Sequence, residues 1–161
     1  MLTSTAELEN ILTDPNLVLI DTRSFREYSQ GHIPNAVNLD LFSFHWIDTS
    51  KNGIESFNEQ TRKIFSYAGV TEKKNVVFYD TVSGMLAARG VWILQYFSHP
   101  QASMLDGGIT KWSDEDRITT TKPSNFKPAN FSGMPNPKIL AGFQYILDNL
   151  NKITILDVRS K

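Results

Sequence analysis

The 161-residue chain contains no cysteine. That excludes disulfides, thiolate-ligated metals and a cysteine nucleophile within it, and it leaves the redox compartment open. Neither sign of charge dominates: 16 basic residues face 17 acidic ones, for a net charge of −1. No global field would therefore draw the chain to nucleic acid or to an anionic membrane, and neither is expected as a partner. Local backbone geometry can still bind a small anion. No run approaches the ~18 apolar residues needed to span a bilayer, and the N-terminal MLTSTAELENIL has acidic residues where a secretory signal has basic ones. The expected location is cytoplasmic. No His, Asp and Glu cluster has metal-ligand spacing, and no glycine loop matches G-x-G-x-x-G or G-x-x-x-x-G-K, so neither a metal nor a cofactor is expected.

What is present is globular: 40% of the residues are hydrophobic and 11% aromatic. Thr3 or Ser4, followed by Glu7 or Glu9, marks a helix start, with Leu8, Ile11 and Leu12 as its stripe and Asp14-Pro15-Asn16 as its end. LVLID (17–21) is a short apolar run suited to a strand buried on both faces, and SFRE (24–27) fits a capping box. Gly31-His32-Ile33-Pro34 reads as a turn leading to a second strand, AVNLD (36–40). Residues 41–56 read as a long irregular connection, 58–69 as a helix with a glycine stop, and NVVFYD as a third strand. A helix over 84–97, a fourth strand ending in Asp106-Gly107-Gly108 and a short helix ITKWSDE complete the pattern. Strands alternating with helices, each strand nearly continuously apolar, predict an α/β fold with a central parallel β-sheet flanked by helices on both faces.

After Asp116 the chain turns rich in Thr, Pro, Asn and Ser without a period, which reads as a linker over 118–136. Beyond it, ILAGFQYILDNL reads as a helix and ITILDVRSK as a strand. VLIDTRS (18–24) and TILDVRS (154–160) share a pattern, and a helix precedes each, so an internal duplication is the better reading. The expected organisation is one domain over 1–117, a linker over 118–136, and the first helix and strand of a truncated second copy over 137–161. A strand stranded in this way would carry unpaired backbone groups and would pair elsewhere, dock on the first domain or move freely.

Three stretches in order, LIDTRSFREYSQGHIPNAVNLD, VVFYDTVSGMLAARGVW and MLDGGITKW, resemble the rhodanese family, and the repeat of IDTRS as LDVRS resembles the start of a second domain in its tandem members, the thiosulfate and 3-mercaptopyruvate sulfurtransferases. The resemblance spans residues 17–112 and then the linker and stub. It implies a rhodanese-like α/β domain and a parent protein that moves sulfane sulfur from thiosulfate or 3-mercaptopyruvate to cyanide or a thiol through a cysteine persulfide. It also implies that the loop Asp80, Thr81, Val82, Ser83, Gly84 and Met85 matches the catalytic loop, with Asp80 at the cysteine position, as in the inactive N-terminal domains of the tandem enzymes. The partners implied are a missing C-terminal catalytic domain and, in the parent, small sulfur-containing anions. The loop is one residue longer than its catalytic counterpart, which argues against a simple Asp80→Cys change making an enzyme.

Each candidate residue also has a plainer reading. Asp80 as a nucleophile competes with Asp80 as a helix cap filling an amide cradle, which is favoured because sulfur transfer needs a soft, polarisable nucleophile. Asp21 and Arg23 read as a structural ion pair rather than an acid–base pair, since the types recur at Asp157 and Arg159. His32 reads as part of a structural turn, Ser24 and Glu27 as a cap, and Asp106, Gly107, Gly108 and Trp112 as family structural motif. Phe42, Phe44, His45 and Trp46 either wall a partner domain's site or pack under their loop. Met85, Leu86 and Trp92 read mostly as core, although Met85 and Leu86 could also face an inter-domain cleft. The competing functional class is a cysteine-less docking module, as in certain dual-specificity phosphatases; a weaker one is an aspartate-based hydrolase with a metal or second carboxylate near Asp80.

Overall fold

The computed structural model describes residues 1–44, 48–82 and 84–157. Its sheet has five parallel strands: β1 (Leu2–Thr3), β2 (Leu17–Asp21), β3 (Val37–Asn38), β4 (Asn75–Tyr79) and β5 (Ala102–Leu105), in the order β1-β5-β4-β2-β3. The helices are α1 (Thr5–Ile11), α2 (Phe25–Gln30), α3 (Lys51–Tyr67), α4 (Met85–Tyr96), α5 (Gly108–Asp114) and α6 (Phe143–Asn149).

Strand alternation explains the unbroken apolar runs. In β4, Val76 and Phe78 join one core with Phe57 and Phe65 of α3 and Ala87 and Val91 of α4. Val77 and Tyr79 face the other way, onto Leu8 of α1, Tyr28 of α2 and Ile109 and Trp112 of α5. Both faces are covered, so the buried positions 76–79 are all apolar or aromatic. Local signals start two of the helices: Ser4 with Glu7, and Ser24 with Glu27, form reciprocal capping boxes.

Four sequence expectations need correction. A two-residue strand, β1, precedes the first helix; it was too short to leave a pattern, and its register with β5 (Leu2 beside Met104) creates it. The second strand is only Val37–Asn38, because Asn35 at φ 68° turns the chain onto the sheet at the last moment. Helix α3 begins at Lys51, capped by Ser50, so Lys51-Asn52-Gly53 is helix rather than connection. Finally, residues 153–157 are not a strand: no strand among the described residues pairs with them, and Val158 lies outside those residues.

The stretch 118–136 is packed rather than slack. Thr120 makes an antiparallel bridge with His32, Ala129 N–H donates to the Ser66 carbonyl at 2.8 Å, and Asn136 N–H donates to the Tyr96 carbonyl at 2.6 Å. Phe131 is buried among Phe65, Phe97 and His99. This strap therefore completes the core on the α3/α4 side of the sheet. By contrast α6 is exposed on most of its apolar positions, including Phe143, Tyr145 and Leu147, as is Leu150 just after it.

Candidate functional site

The carboxyl ends of parallel strands are where such sheets place their ligands and reactive groups, because the strands stop there and the following helices begin with free N–H groups. Here β2 ends in Asp21 and β4 is followed by Asp80; Asp21 lies beside Tyr79 in the ladder. Both carboxylates are buried, yet they are held in different ways.

Among the described residues, Asp80 is held by backbone N–H groups. Its Oδ1 accepts from Val82 N–H at 3.2 Å and from Gly84 N–H at 2.8 Å, and its Oδ2 accepts from Ala87 N–H at 3.2 Å. Gly84 is the N-cap of α4 and offers no side chain, so Asp80 supplies the cap from four residues upstream. The positive end of the α4 dipole favours the charge. Among the described residues no cation pairs with Asp80. The geometry is an anion cradle, and the aspartate's own carboxylate occupies it.

A second element clamps the loop. The N–H groups of Ile109 and Thr110, at the start of α5, donate at 3.0 Å to the carbonyls of Asp80 and Thr81. This approach requires Gly108: its φ is +58°, and a Cβ there would lie 2.6 Å from the Asp80 oxygen. Asp106-Gly107-Gly108 is thus the turn that docks α5 on the Asp80 loop, with Lys111 and Asp106 paired at 2.8 Å on its outer side. Trp112 is buried behind it and donates its indole N–H to the Ile118 carbonyl.

Asp21 is held by a cation. Arg23 Nη2 donates to its Oδ2 at 2.6 Å, and Arg23 Nε and backbone N–H donate to its Oδ1 at 3.0 Å each. The remaining guanidinium reach goes to the Gly31 carbonyl at 2.8 Å. Burial alone would lower the arginine pKa, but hydrogen bonds and charge from Asp21 outweigh it and the net direction is upward. The Tyr79 ring lies under Arg23, 5.8 Å from centroid to guanidinium carbon, and its hydroxyl accepts from Ile33 N–H. Burial, reinforced by the Asp21 charge, pushes the Tyr79 phenol well above its usual range, so it stays neutral. The pair ties β2, β4 and the Gly31-His32-Ile33-Pro34 turn together.

His32 is fully buried. Its ring stacks on Tyr28 with centroids 3.7 Å apart, and its nitrogens face the Tyr28 and Lys122 carbonyls at 2.9 and 3.1 Å. It joins the turn to the strap. Val82 and Met85 stand exposed on the Asp80 loop and Phe42 is exposed beyond β3, while Phe44 packs on Phe57. Leu86 is half-buried, and Trp92, 38% exposed, stacks on Tyr96. Ser83, His45, Trp46 and Arg159 lie outside the described residues.

Two contributors left no sequence signal. Ala87 serves Asp80 through its backbone N–H, seven residues away, which any residue type could supply. Tyr79 reads as a core aromatic of β4, and only the fold brings its hydroxyl to Ile33. Among the described residues no group of three or more His, Asp and Glu side chains could hold a metal, and no helix is long and apolar enough to cross a membrane.

Comparison with known proteins finds relatives in sequence and in fold. The chain is 32% identical over 112 residues to the thiosulfate sulfurtransferase of Azotobacter vinelandii, covering 70% of the chain and 41% of that protein. It is 28% identical to the 3-mercaptopyruvate sulfurtransferase of Mus musculus, covering 84% of the chain and 47% of that protein. The crystal structure of SseA from Escherichia coli, a 3-mercaptopyruvate sulfotransferase, superposes with a TM-score of 0.78 at 23% identity, over 93% of the chain and 63% of SseA. The chain thus spans about half the length of the curated relatives it matches. The model of the rhodanese-like domain matches residues 4–115, so the chain belongs to the rhodanese-like domain family, whose relatives here are sulfurtransferases.

Proposed function

We propose that this chain is the non-catalytic rhodanese-like unit of a tandem-domain sulfurtransferase, a cytoplasmic protein whose catalytic cysteine resides in a second unit. The observation that carries the proposal is the Asp80 carboxylate occupying the amide cradle of Val82, Gly84 and Ala87. In a working domain of this family that place belongs to a cysteine, whose thiolate and persulfide the same N–H groups and helix dipole would stabilise. A carboxylate oxygen is a hard, weakly nucleophilic anion and a poor match for soft sulfane sulfur, so Asp80 fills the site without inheriting its chemistry.

The relatives' greater length and the resemblance of 154–160 to 18–24 support a second unit in the parent protein. The parent would take thiosulfate or 3-mercaptopyruvate as donor and pass sulfur to cyanide or a thiol. This unit would contribute one wall of the cleft, and the exposed Val82 and Met85 of the loop are suited to being covered by a partner domain. A turnover assay with thiosulfate and cyanide, and with 3-mercaptopyruvate and a thiol, tests the reading: the 161-residue polypeptide should show the buffer rate. Activity confined to a polypeptide extended through a second unit bearing a cysteine would support it; turnover by the 161 residues alone would overturn it.

A further inference from the structure

At the end of the sheet opposite Asp80, a crevice of about 290 Å³ opens between the entry to β2, the end of α3 and the strap. Its walls include Leu17, Val18, Leu19, Lys74, Phe126 and Lys127. Two properties make it more than a packing fault.

The first is an unfinished sheet edge. In a parallel ladder the N–H and C=O of one residue point to the same side, and successive residues alternate sides. Asn16 accepts from Asn75 and Thr22 donates to Tyr79, so the even-numbered residues of β2 point toward β4. Asp21 accepts from Leu39, so the odd-numbered ones point toward β3. But β3 pairs only with Ile20 and Asp21, since Asn35 has turned the chain away before that. The Leu19 N–H and the Leu17 C=O therefore face the crevice with no strand beside them. They are a donor and an acceptor two residues apart, the spacing that binds one residue of an extended peptide in parallel register.

The second is charge. Lys74 gives its ammonium group to the Pro15 carbonyl, and neither Lys74 nor Lys127 makes an ion pair among the described residues. The strap that carries Lys127 is fixed there: the Lys127 carbonyl lies against Gly69, where a Cβ would come within 2.7 Å of it, and Gly69 has φ +82°. The carbonyls at the end of α3 favour cations nearby, which helps to place the two lysines without neutralising their charge. The apolar part of the wall, from Val18, Val37, Ala68 and Phe126, suits a small aliphatic side chain. The volume sits at the low end of the ~300–1,000 Å³ of ligand pockets, enough for a short peptide end and too little for a folded segment.

We propose that this crevice binds the C-terminal residue of an extended peptide. Its amide N–H donates to the Leu17 carbonyl, and its carboxylate accepts from the Leu19 N–H and from the Lys74 and Lys127 ammonium groups. Backbone pairing fixes the orientation, and the lysines select a free terminus over a chain that continues.

The test is a two-dimensional NMR titration of the 161-residue chain with N-acetyl-alanyl-alanine and, separately, with its C-terminal carboxamide. The free acid should shift the amide signals of Leu19, Gly69 and Lys127 saturably, and leave those of Gly84 and Ala87 unmoved. The carboxamide should bind about tenfold more weakly, as should the free acid to K127Q, a change at an exposed side chain. K74Q should weaken it similarly; if that variant does not fold, K127Q and the carboxamide decide alone. No saturable shift around the crevice, or equal affinity for acid and carboxamide, would overturn the proposal.

Discussion

Two aspartates stand at the carboxyl ends of neighbouring strands, each after an apolar run, each buried; they differ only in what neutralises them. Asp21 is locked by a guanidinium that is itself buried, with Tyr79 beneath and Gly31 beyond. Asp80 is held, among the described residues, by three backbone N–H groups and a helix dipole. A side-chain lock specifies both partners, so neither can be changed alone. A backbone cradle specifies only that something small and anionic should occupy it. The second arrangement is the one in which a domain can exchange a reactive side chain for an inert one and keep its fold.

The largest expected effect breaks the first lock. Asp21→Asn leaves the Arg23 guanidinium buried without its counter-charge and should cost about 3–5 kcal/mol in denaturant unfolding. A loss below ~1 kcal/mol would show that the two aspartates are equivalent after all. Next comes the clamp on the loop: Gly108→Ala forces a left-handed residue against the Asp80 carbonyl and should cost about 1–3 kcal/mol, with the chemical shifts of Thr81 and Val82 displaced more than those of Asp21. Third, Asp80→Ala removes a helix cap and should cost about 0.5–2 kcal/mol, whereas Asp80→Asn retains an acceptor and should cost less.

The smallest effect is on pH dependence. The Tyr79 phenol is held well above its usual range by burial and by Asp21. A raised folded-state pKa means that the neutral form is favoured in the folded protein. Its contribution is fully present below the ordinary tyrosine pKa of about 10 and is lost as the pH rises from there toward the folded value. Alkaline unfolding curves should thus steepen above that pH, and Asp21→Asn should soften the effect. Identical alkaline slopes for both proteins would separate Tyr79 from the lock.

Much of this was legible in the sequence because it rests on local chemistry. The runs 17–21 and 75–79 announced buried parallel strands, and Ser4 with Glu7 and Ser24 with Glu27 announced the helix starts. The capping of α4 by Asp80 is also local, seven residues or fewer, and the Gly84 stop before an alanine-rich run pointed to it. What stayed hidden is non-local. β1 exists only through β5, a hundred residues on. The strap looked like linker because its composition is polar, yet single aromatics at Phe126 and Phe131 are enough to dock it on α3 and α4. The reverse case is the strand expected over 153–158: its described part, 153–157, is not strand, since propensity alone makes none where no partner strand is at hand among the described residues.

The central claim is that Asp80 fills its cradle and closes it to the anions that a working domain would admit. The most direct test is to follow the amide signals of Val82, Gly84 and Ala87 while thiosulfate is added to the unmodified chain. All three should stay unmoved at concentrations far above those that saturate a sulfurtransferase. A saturable shift of these amides would mean that the cradle is open, and would contradict the account.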